Sequence, residues 1–259
     1  MFRKLSALLL LSLCEFAGAA EWKEDARIGA LFAKEGLRGT FVVHDVAADS
    51  YTVHDRRRAR QRYIPASTFK IPNSLIALSN GAVASVDEVV PYDGKPVYRP
   101  EWARDMALRE AIRVSNVPVY QEVARRVGLD RMRGALVRLR YGNMETGDRV
   151  DRFWLDGPLE ISAVEQTAFL IRLAQGQLPF SNVTMAAVRE ICRQDGPAEL
   201  YAKTGWGKRP GQPDIGWWVG WVRKEGKLYA FALNVDMPTD GQDRRVALGR
   251  EALGVLGLL

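Results

Sequence analysis

The chain reads as an α+β fold: an antiparallel sheet of roughly five to seven strands, flanked by helices, with strands from both ends of the sequence and an inserted all-helical region between them. Three observations predict it. Early in the chain, Phe41–Val46 and Tyr51–His54 are β-branched and aromatic runs on either side of Ala-Ala-Asp-Ser, the pattern of a β-hairpin. Late in the chain, Glu199–Thr204, Ile215–Arg223 and Lys227–Asp236 read as strands, the last two joined by Lys224-Glu225-Gly226. Between them, residues from about 66 to 175 carry mostly helical periodicity.

Taken in order, the first residues read as a secretory signal. Arg3 and Lys4 give a basic start, Leu5 to Leu13 an apolar stretch, and Ala17-Gly18-Ala19 a small-residue cleavage site. The apolar stretch is too short for a permanent membrane helix. The expectation is a secreted, periplasmic protein with residues 1–19 removed and no membrane attachment afterwards. Cys192 is then the one remaining cysteine, so no intramolecular disulfide forms. The helical stretch is broken at Gly81, at Pro91–Pro100 and at the Tyr141–Gly157 loop, leaving Ala107–Val114, Val117–Val127, Asp130–Leu139 and Ala163–Leu173. Ser162 with Glu165 is a capping-box signal for the last of these. Another helix follows Phe180, and one from about Asp243 to Leu256 closes the chain. Residues 20–259 are read as a single unit, with a sheet part at about 20–65 and 197–259 and a helical part at about 66–196. The junction of the two parts is a favoured place for a cleft.

Composition narrows the function. The 259 residues are 47% hydrophobic and 26% charged, with a net charge of +6. The one dense basic run, Arg56, Arg57, Arg58, Arg60 and Arg62, carries only Tyr63 as an aromatic at its end. With an export signal ahead of it, this run is expected to be a solvated face, and no nucleic-acid partner is assigned. No apolar stripe assigns an oligomeric state. The two histidines, His44 and His54, both fall in the early hairpin and read as structural. With one mature cysteine and no H-x-x-x-H pair, neither a metal hydrolase nor a Cys–His enzyme has its parts, so no metal is expected. Glycine-rich nucleotide loops are missing as well.

Three short motifs remain. In Pro65-Ala66-Ser67-Thr68-Phe69-Lys70-Ile71-Pro72, Ser67 and Lys70 lie at i and i+3, so on a helical turn Oγ and Nζ share a face. Phe69, Ile71, Leu75, Ile76 and Leu78 would bury that turn, which disfavours the charged ammonium and leaves Lys70 as a base or reactive amine. A serine needs such a neighbour to become a nucleophile. Pro72 requires Ser67 to sit in a tight opening turn just before the regular helix. Alone, S-x-x-K is weak, since roughly 0.35 chance matches are expected in this composition. Ser115-Asn116-Val117 opens a helix, and by itself Ser115 reads as an N-cap. Lys203-Thr204-Gly205 ends a strand and is expected by chance only about 0.03 times, so it is the more telling signal.

The three motifs in this order resemble the penicillin-recognising serine enzymes, β-lactamases and penicillin-binding transpeptidases. Val117 replaces the amide of S-x-N. Tyr141-Gly142-Asn143, Trp154-Leu155-Asp156-Gly157, Lys203-Thr204-Gly205-Trp206, Trp217-Trp218-Val219-Gly220-Trp221, Pro65–Leu78 and Ile161–Gln166 are similar to class D, oxacillinase-type β-lactamases, over about residues 40 to 245. The resemblance implies a transpeptidase-like sheet with an inserted helical domain. It implies that Ser67 is acylated by a small-molecule β-lactam and that Lys70 is carboxylated by CO2 or bicarbonate to N6-carboxylysine, the general base for acylation and deacylation. No other cofactor is implied. By the same resemblance, the backbone N–H groups of Ser67 and Trp206 form the oxyanion hole and Ser115 relays a proton. Lys203, Thr204, Gly205 and Arg245 hold the substrate carboxylate, with Arg244 as the neighbouring alternative. Trp154 donates its indole N–H to the carbamate, Val117 and Leu155 form a dry wall, and Trp102 lines the cleft rim. Tyr141 to Asn143 are expected to hold their loop. Within Gly207–Pro213, Lys208 and Arg209 are expected to tune side-chain preference. Two alternatives share the motifs: a β-lactam sensor that is acylated without turnover, and a cell-wall DD-peptidase. The cleavable signal argues against the tethered sensor, and Val117 against the peptidase.

Overall fold

The computed structural model describes residues 20–238 and 243–259; the expected signal at 1–19 lies outside them. The chain enters as a short strand, β1 (Glu21–Glu24), and a helix, α1 (Ala26–Glu35). Asp25 caps α1 by accepting from Arg27 N–H, and Gly36 ends it in the left-handed region. The expected hairpin follows as β2 (Gly39–Asp45) and β3 (Ser50–His54), then a single turn α2 (Arg56–Ala59). A 3-10 turn, Ala66–Phe69, leads into α3 (Lys70–Ser79).

The inserted region is not purely helical, because β4 (Val89–Val90) and β5 (Met106–Ala107) pair as a small ribbon. Its helices are α4 (Leu108–Arg113), α5 (Val117–Val127), α6 (Leu129–Leu139), α7 (Ala163–Ala174) and α8 (Asn182–Cys192). Ser162 and Glu165 form the expected capping box on α7. Strands β6 (Glu199–Gly207), β7 (Ile215–Lys224) and β8 (Lys227–Asp236) return to the sheet, and α9 (Arg245–Val255) closes the chain.

The main sheet has six strands in the order β1-β3-β2-β8-β7-β6. It is mixed rather than wholly antiparallel, since β1 lies parallel to β3. Side chains alternate across it. Phe41, Val43, Trp218, Val222, Phe231 and Leu233 pack under α1 and α9 with Ile28, Phe32, Leu248 and Leu253. Val42, Trp217, Val219, Trp221, Ala230 and Ala232 face the other way, into one core shared with α7 and the inserted helices. Among the described residues no helix is long and apolar enough to cross a membrane.

The basic run is only partly the solvated face expected. Arg58 is buried, with Nε donating to Asn234 Oδ1 at 2.7 Å and Nη2 to Asp236 Oδ1 at 2.9 Å. Arg56 and Arg60 lie over the Trp22 ring, 4.7 and 4.6 Å from its centre. The histidines are structural in their contacts. His44 stacks on Tyr51 and His54 packs against Phe32. Cys192 is a buried free thiol.

Candidate active site

The 3-10 turn and the start of α3 put Ser67 where the sequence requires it. Pro72 falls in the first turn of α3, where its missing N–H interrupts no helical hydrogen bond. Ala66 has φ 48°, a left-handed conformation costing about 1–2 kcal/mol for a residue with a Cβ. Neighbouring contacts hold it there. Ala66 N–H donates to Trp154 O at 2.9 Å, and Thr68 Oγ1 donates to Pro65 O at 2.8 Å. Gln166 Nε2 in turn donates to Thr68 Oγ1 at 2.9 Å. Below the turn, Phe69 stacks on Trp154 at 5.2 Å and meets Phe153 and Tyr141 edge-on at 5.0 and 5.8 Å. Each such pair adds about 0.5–1.5 kcal/mol beyond its buried area.

Lys70 is 1% exposed, and its Nζ lies 2.9 Å from Ser67 Oγ. Among the described residues no carboxylate pairs with it. Burial first, and the charge of Lys203 second, hold its pKa well below the usual 10.5, which favours the neutral amine. The Tyr120 ring stands 5.2 Å from Nζ, and Tyr120 Oη is 2.9 Å from Ser74 Oγ. Sequence reasoning missed Tyr120. Its signal was its place three residues after Val117, on the same face of α5. It also missed Gln166 as the brace of the nucleophile turn. Trp154 is fully buried, and its indole Nε1 has no hydrogen-bond partner among the described residues.

Ser115 is not an N-cap. Asn116 caps α5, accepting from Val119 N–H at 3.1 Å, while Ser115 takes φ 57° and turns its Oγ to within 3.0 Å of Lys203 Nζ. Lys203 Nζ also donates to Thr204 O at 3.0 Å. Burial, and then Arg245, pull the Lys203 pKa down to about 7. Gly205 lets β6 lie against the nucleophile turn. A Cβ there would stand 2.9 Å from Pro65 O and 3.0 Å from Thr68 Cγ2.

Of the two candidate arginines, Arg245 is the one that lines the cleft. Its Nη1 donates to Gly205 O, its Nε to Asp243 Oδ1 at 2.7 Å, and its guanidinium sits 5.3 Å from the centre of the Trp206 ring. Gly216 makes room for the stem, because a Cβ there would come within 2.6 Å of Arg245 Cδ. Arg244 points to Glu35 of α1 at 3.5 Å.

Ser67, Ser115, Val117, Thr204, Gly205, Trp206 and Arg245 line one cleft of about 260 Å³. Its far wall is Tyr98, Arg99 and Trp102, with Lys208 at the mouth. Trp102 is largely buried, with Nε1 donating to Val114 O at 3.0 Å. Two expectations fare differently. Leu155 is partly buried against the helical core and is not part of this lining. Arg209 turns to Asp236 Oδ1 at 2.7 Å and to the Tyr63 ring, away from the cleft. In the loop, Asn143 N–H donates to Glu160 O at 2.9 Å and Nδ2 to Pro158 O at 2.8 Å, so the residue fastens the loop to itself.

Known proteins resemble this chain along most of its length. The family profile described as the penicillin binding protein transpeptidase domain matches residues 39–253. Beta-lactamase OXA-10 of Pseudomonas aeruginosa is 38% identical over 91% of this chain and 90% of its own length. Beta-lactamase OXA-48 of Klebsiella pneumoniae is 41% identical over 92% of this chain and 90% of its own. The crystal structure of FUS-1 (OXA-85), a class D β-lactamase from Fusobacterium nucleatum subsp. polymorphum, superposes with a TM-score of 0.88 at 40% identity, covering 92% of this chain and 100% of that one. A serine and a buried lysine in contact, a second serine–lysine pair across one cleft, and relatives of this identity along nearly the whole chain lead to one assignment: the protein belongs to the class D serine β-lactamases.

Proposed function

We propose that this enzyme opens the β-lactam amide through an acyl-enzyme on Ser67, with Lys70 carboxylated to serve as the base, and that it acts in the periplasm as a resistance determinant. The observation that carries the proposal is the 2.9 Å approach of Lys70 Nζ to Ser67 Oγ inside a dry pocket that lacks a carboxylate partner among the described residues. Two features fit a carboxylated lysine. The neutral Nζ is the form that adds to the carbon of CO2, making an N–C bond and releasing one proton. The unpartnered indole N–H of Trp154 is a buried donor that needs an acceptor. The carbamate supplies a carboxylate-type general base, worth ~10²–10⁴-fold in rate, in a chain whose two histidines lie elsewhere.

The chain's own residues account for the rest. Ser67 Oγ bonds to the lactam carbonyl carbon as the C–N bond breaks. β6 is the outer strand of the sheet, so every second N–H along it points away from β7. The Trp206 N–H is assigned as one of these, and with that of Ser67 it binds the oxyanion, roughly 10²–10³-fold per donor. Ser115, held by Lys203, passes a proton to the leaving nitrogen. Lys203, Thr204 and Arg245 bind the ring carboxylate, Val117 and Trp102 give that cleft its apolar wall, and Leu155 keeps water from the core beside Trp154.

The test supplies ¹³C-labelled bicarbonate to the purified enzyme. A carbamate carbon resonance that is lost in Lys70→Ala and weakened in Trp154→Phe is expected, together with sustained turnover of a chromogenic β-lactam that rises with bicarbonate. A single stoichiometric burst would make the protein a sensor. Turnover with no labelled resonance would sink the carboxylated lysine.

A further inference from the structure

The cleft is more cationic than one ring carboxylate requires. Its charged lining residues are Arg99, Lys208 and Arg245, with Lys203 behind them, and among the described residues no carboxylate lines it. Arg245 and Lys203 are claimed by the ring carboxylate in the reading above. Arg99 and Lys208 are not, and they come from separate segments, the loop before α4 and the end of β6.

Each is tethered by an aromatic and a carboxylate neighbour at the edge of the same cleft. Asp214 Oδ2 accepts from Lys208 Nζ at 2.7 Å and from Trp206 Nε1 at 2.8 Å, which fixes the cation beside the indole as one unit. The Arg99 guanidinium lies 5.7 Å from the centre of the Trp102 ring. Its Nη1 donates to Glu101 Oε1 at 3.4 Å, an exposed pair that an incoming anion can exchange cheaply. Trp206 and Tyr98 stand exposed at the same mouth, 39% and 91% accessible, and offer aromatic surface next to the cations.

We propose that Arg99 and Lys208 form a second anion subsite at the cleft mouth, which selects β-lactams whose side chain carries an aryl group and a carboxylate of its own. This rests on the reading of the Ser67 cleft as a β-lactam site. Because both side chains are substantially exposed, 52% for Arg99 and 84% for Lys208, the effect is a preference rather than a requirement. An exposed ion pair of this kind is worth about two- to fivefold in affinity. The same exposure makes substitution harmless to folding.

The experiment compares benzylpenicillin with its α-carboxy derivative, which differ by one carboxylate. The kcat/KM ratio of dianion to monoanion is measured for the wild type, Arg99→Gln, Lys208→Gln and the double variant, at low and high ionic strength. In parallel, Kd for both compounds is read from tryptophan fluorescence on a Ser67→Ala background, which needs no turnover. The ratio is expected to fall about 3–10-fold in the double variant and to shrink in salt. An unchanged ratio in the double variant, in kcat/KM or in Kd, overturns the subsite and leaves Arg99 and Lys208 as like charges that merely hold the mouth open. A preserved Kd preference without hydrolysis of either compound would sink the parent reading alone.

Discussion

Gly205→Ala tests whether the spacing between β6 and the nucleophile turn sets activity. The added methyl would meet Pro65 O at 2.9 Å, Thr68 Cγ2 at 3.0 Å and Thr68 N at 3.3 Å, two of them backbone atoms. Neither side yields cheaply. β6 is paired with β7 from Glu199 to Gly207, and the turn is tied to Trp154 and Gln166. Relieving these contacts takes a retreat of a few tenths of an ångström, an overpacking cost of about 1–3 kcal/mol. For a chain of this size that is about 2–10 °C in Tm. The same retreat carries Lys203, Thr204 and the Trp206 N–H away from Ser67. A 1 Å misplacement costs ~10²-fold, so about tenfold in kcat/KM is expected from a fraction of it. Gly254→Ala is the control, since nothing lies within 4 Å of its Cβ and it sits on the open face of α9. It should gain about 0.5–1 kcal/mol and keep full activity. Differential scanning fluorimetry and steady-state hydrolysis of a chromogenic β-lactam give both numbers. Full kcat/KM in Gly205→Ala despite a lowered Tm would refute the reasoning.

Lys70→Met should abolish turnover yet stabilise the fold in bicarbonate-free buffer by about 1–3 kcal/mol, because a buried amine without a counter-charge is replaced by an apolar side chain of similar length. The folded pKa of Lys70 lies below the unfolded value of 10.5, so the unfolded chain takes up the proton first. Wild-type stability therefore falls as pH drops below 10.5 and levels off once pH passes the folded pKa. The advantage of Lys70→Met grows over that window, and urea melts at pH 6 and 9.5 showing no such growth would count against it. For Lys203, held at about 7, the cationic form that recognises the carboxylate is lost as pH rises through 7 in the free enzyme. kcat/KM should decline above about pH 7 while kcat holds to higher pH, since bound substrate returns the proton; a kcat/KM flat from pH 6.5 to 9 rules this out. Arg58→Met strands Asn234 Oδ1 and removes one of the guanidiniums on Asp236, and about 3 kcal/mol of destabilisation is expected by urea denaturation. A loss below 1 kcal/mol would show that Arg209 and Arg38 suffice for Asp236.

What was legible in the sequence was whatever depends on short spacing. The i, i+3 relation of Ser67 and Lys70, the Ser162–Glu165 cap and the alternation in β2, β7 and β8 are local, and the structure keeps them. β1 escaped notice because Glu-Trp-Lys-Glu is four residues with three charges, and its parallel pairing with β3 is decided by the α1 that follows it. α1 had its signals in Asp25, in Gly36 and in Ile28 with Phe32 one turn apart. The choice between Arg244 and Arg245 depended on the phase of α9 against a bare Cα at Gly216, a contact between distant strand and helix. Taken alone Ser115 reads as a cap, and only the motif resemblance gave it a proton-relay role, because the left-handed turn that swings it to Lys203 is imposed by its surroundings. Arg209 was placed by its loop's position between two strands, but a loop side chain follows the nearest charge, here Asp236, while Leu155 packs on the core that holds Trp154 and not on the cleft itself.

The two buried lysines explain each other. A site this dry carries one cation more easily than two, and the causes of the pKa shifts form a series. Arg245 is charged and matched by Asp243; its field helps bring Lys203 to about 7; the field of Lys203 helps depress Lys70 further. In the proposed reading, a substrate carboxylate entering between Arg245 and Lys203 stabilises the charged form of Lys203. That restored charge opposes the pull of the anion itself on a Lys70 proton, so the anion can be recognised without quenching the amine. Carboxylate binding and the supply of the base are then linked through one side chain. A non-hydrolysable carboxylate ligand should accordingly leave the protonation of Lys70 no higher in pH than in the free enzyme. If ligand binding instead raised the Lys70 pKa, the two lysines would have to be treated as independent.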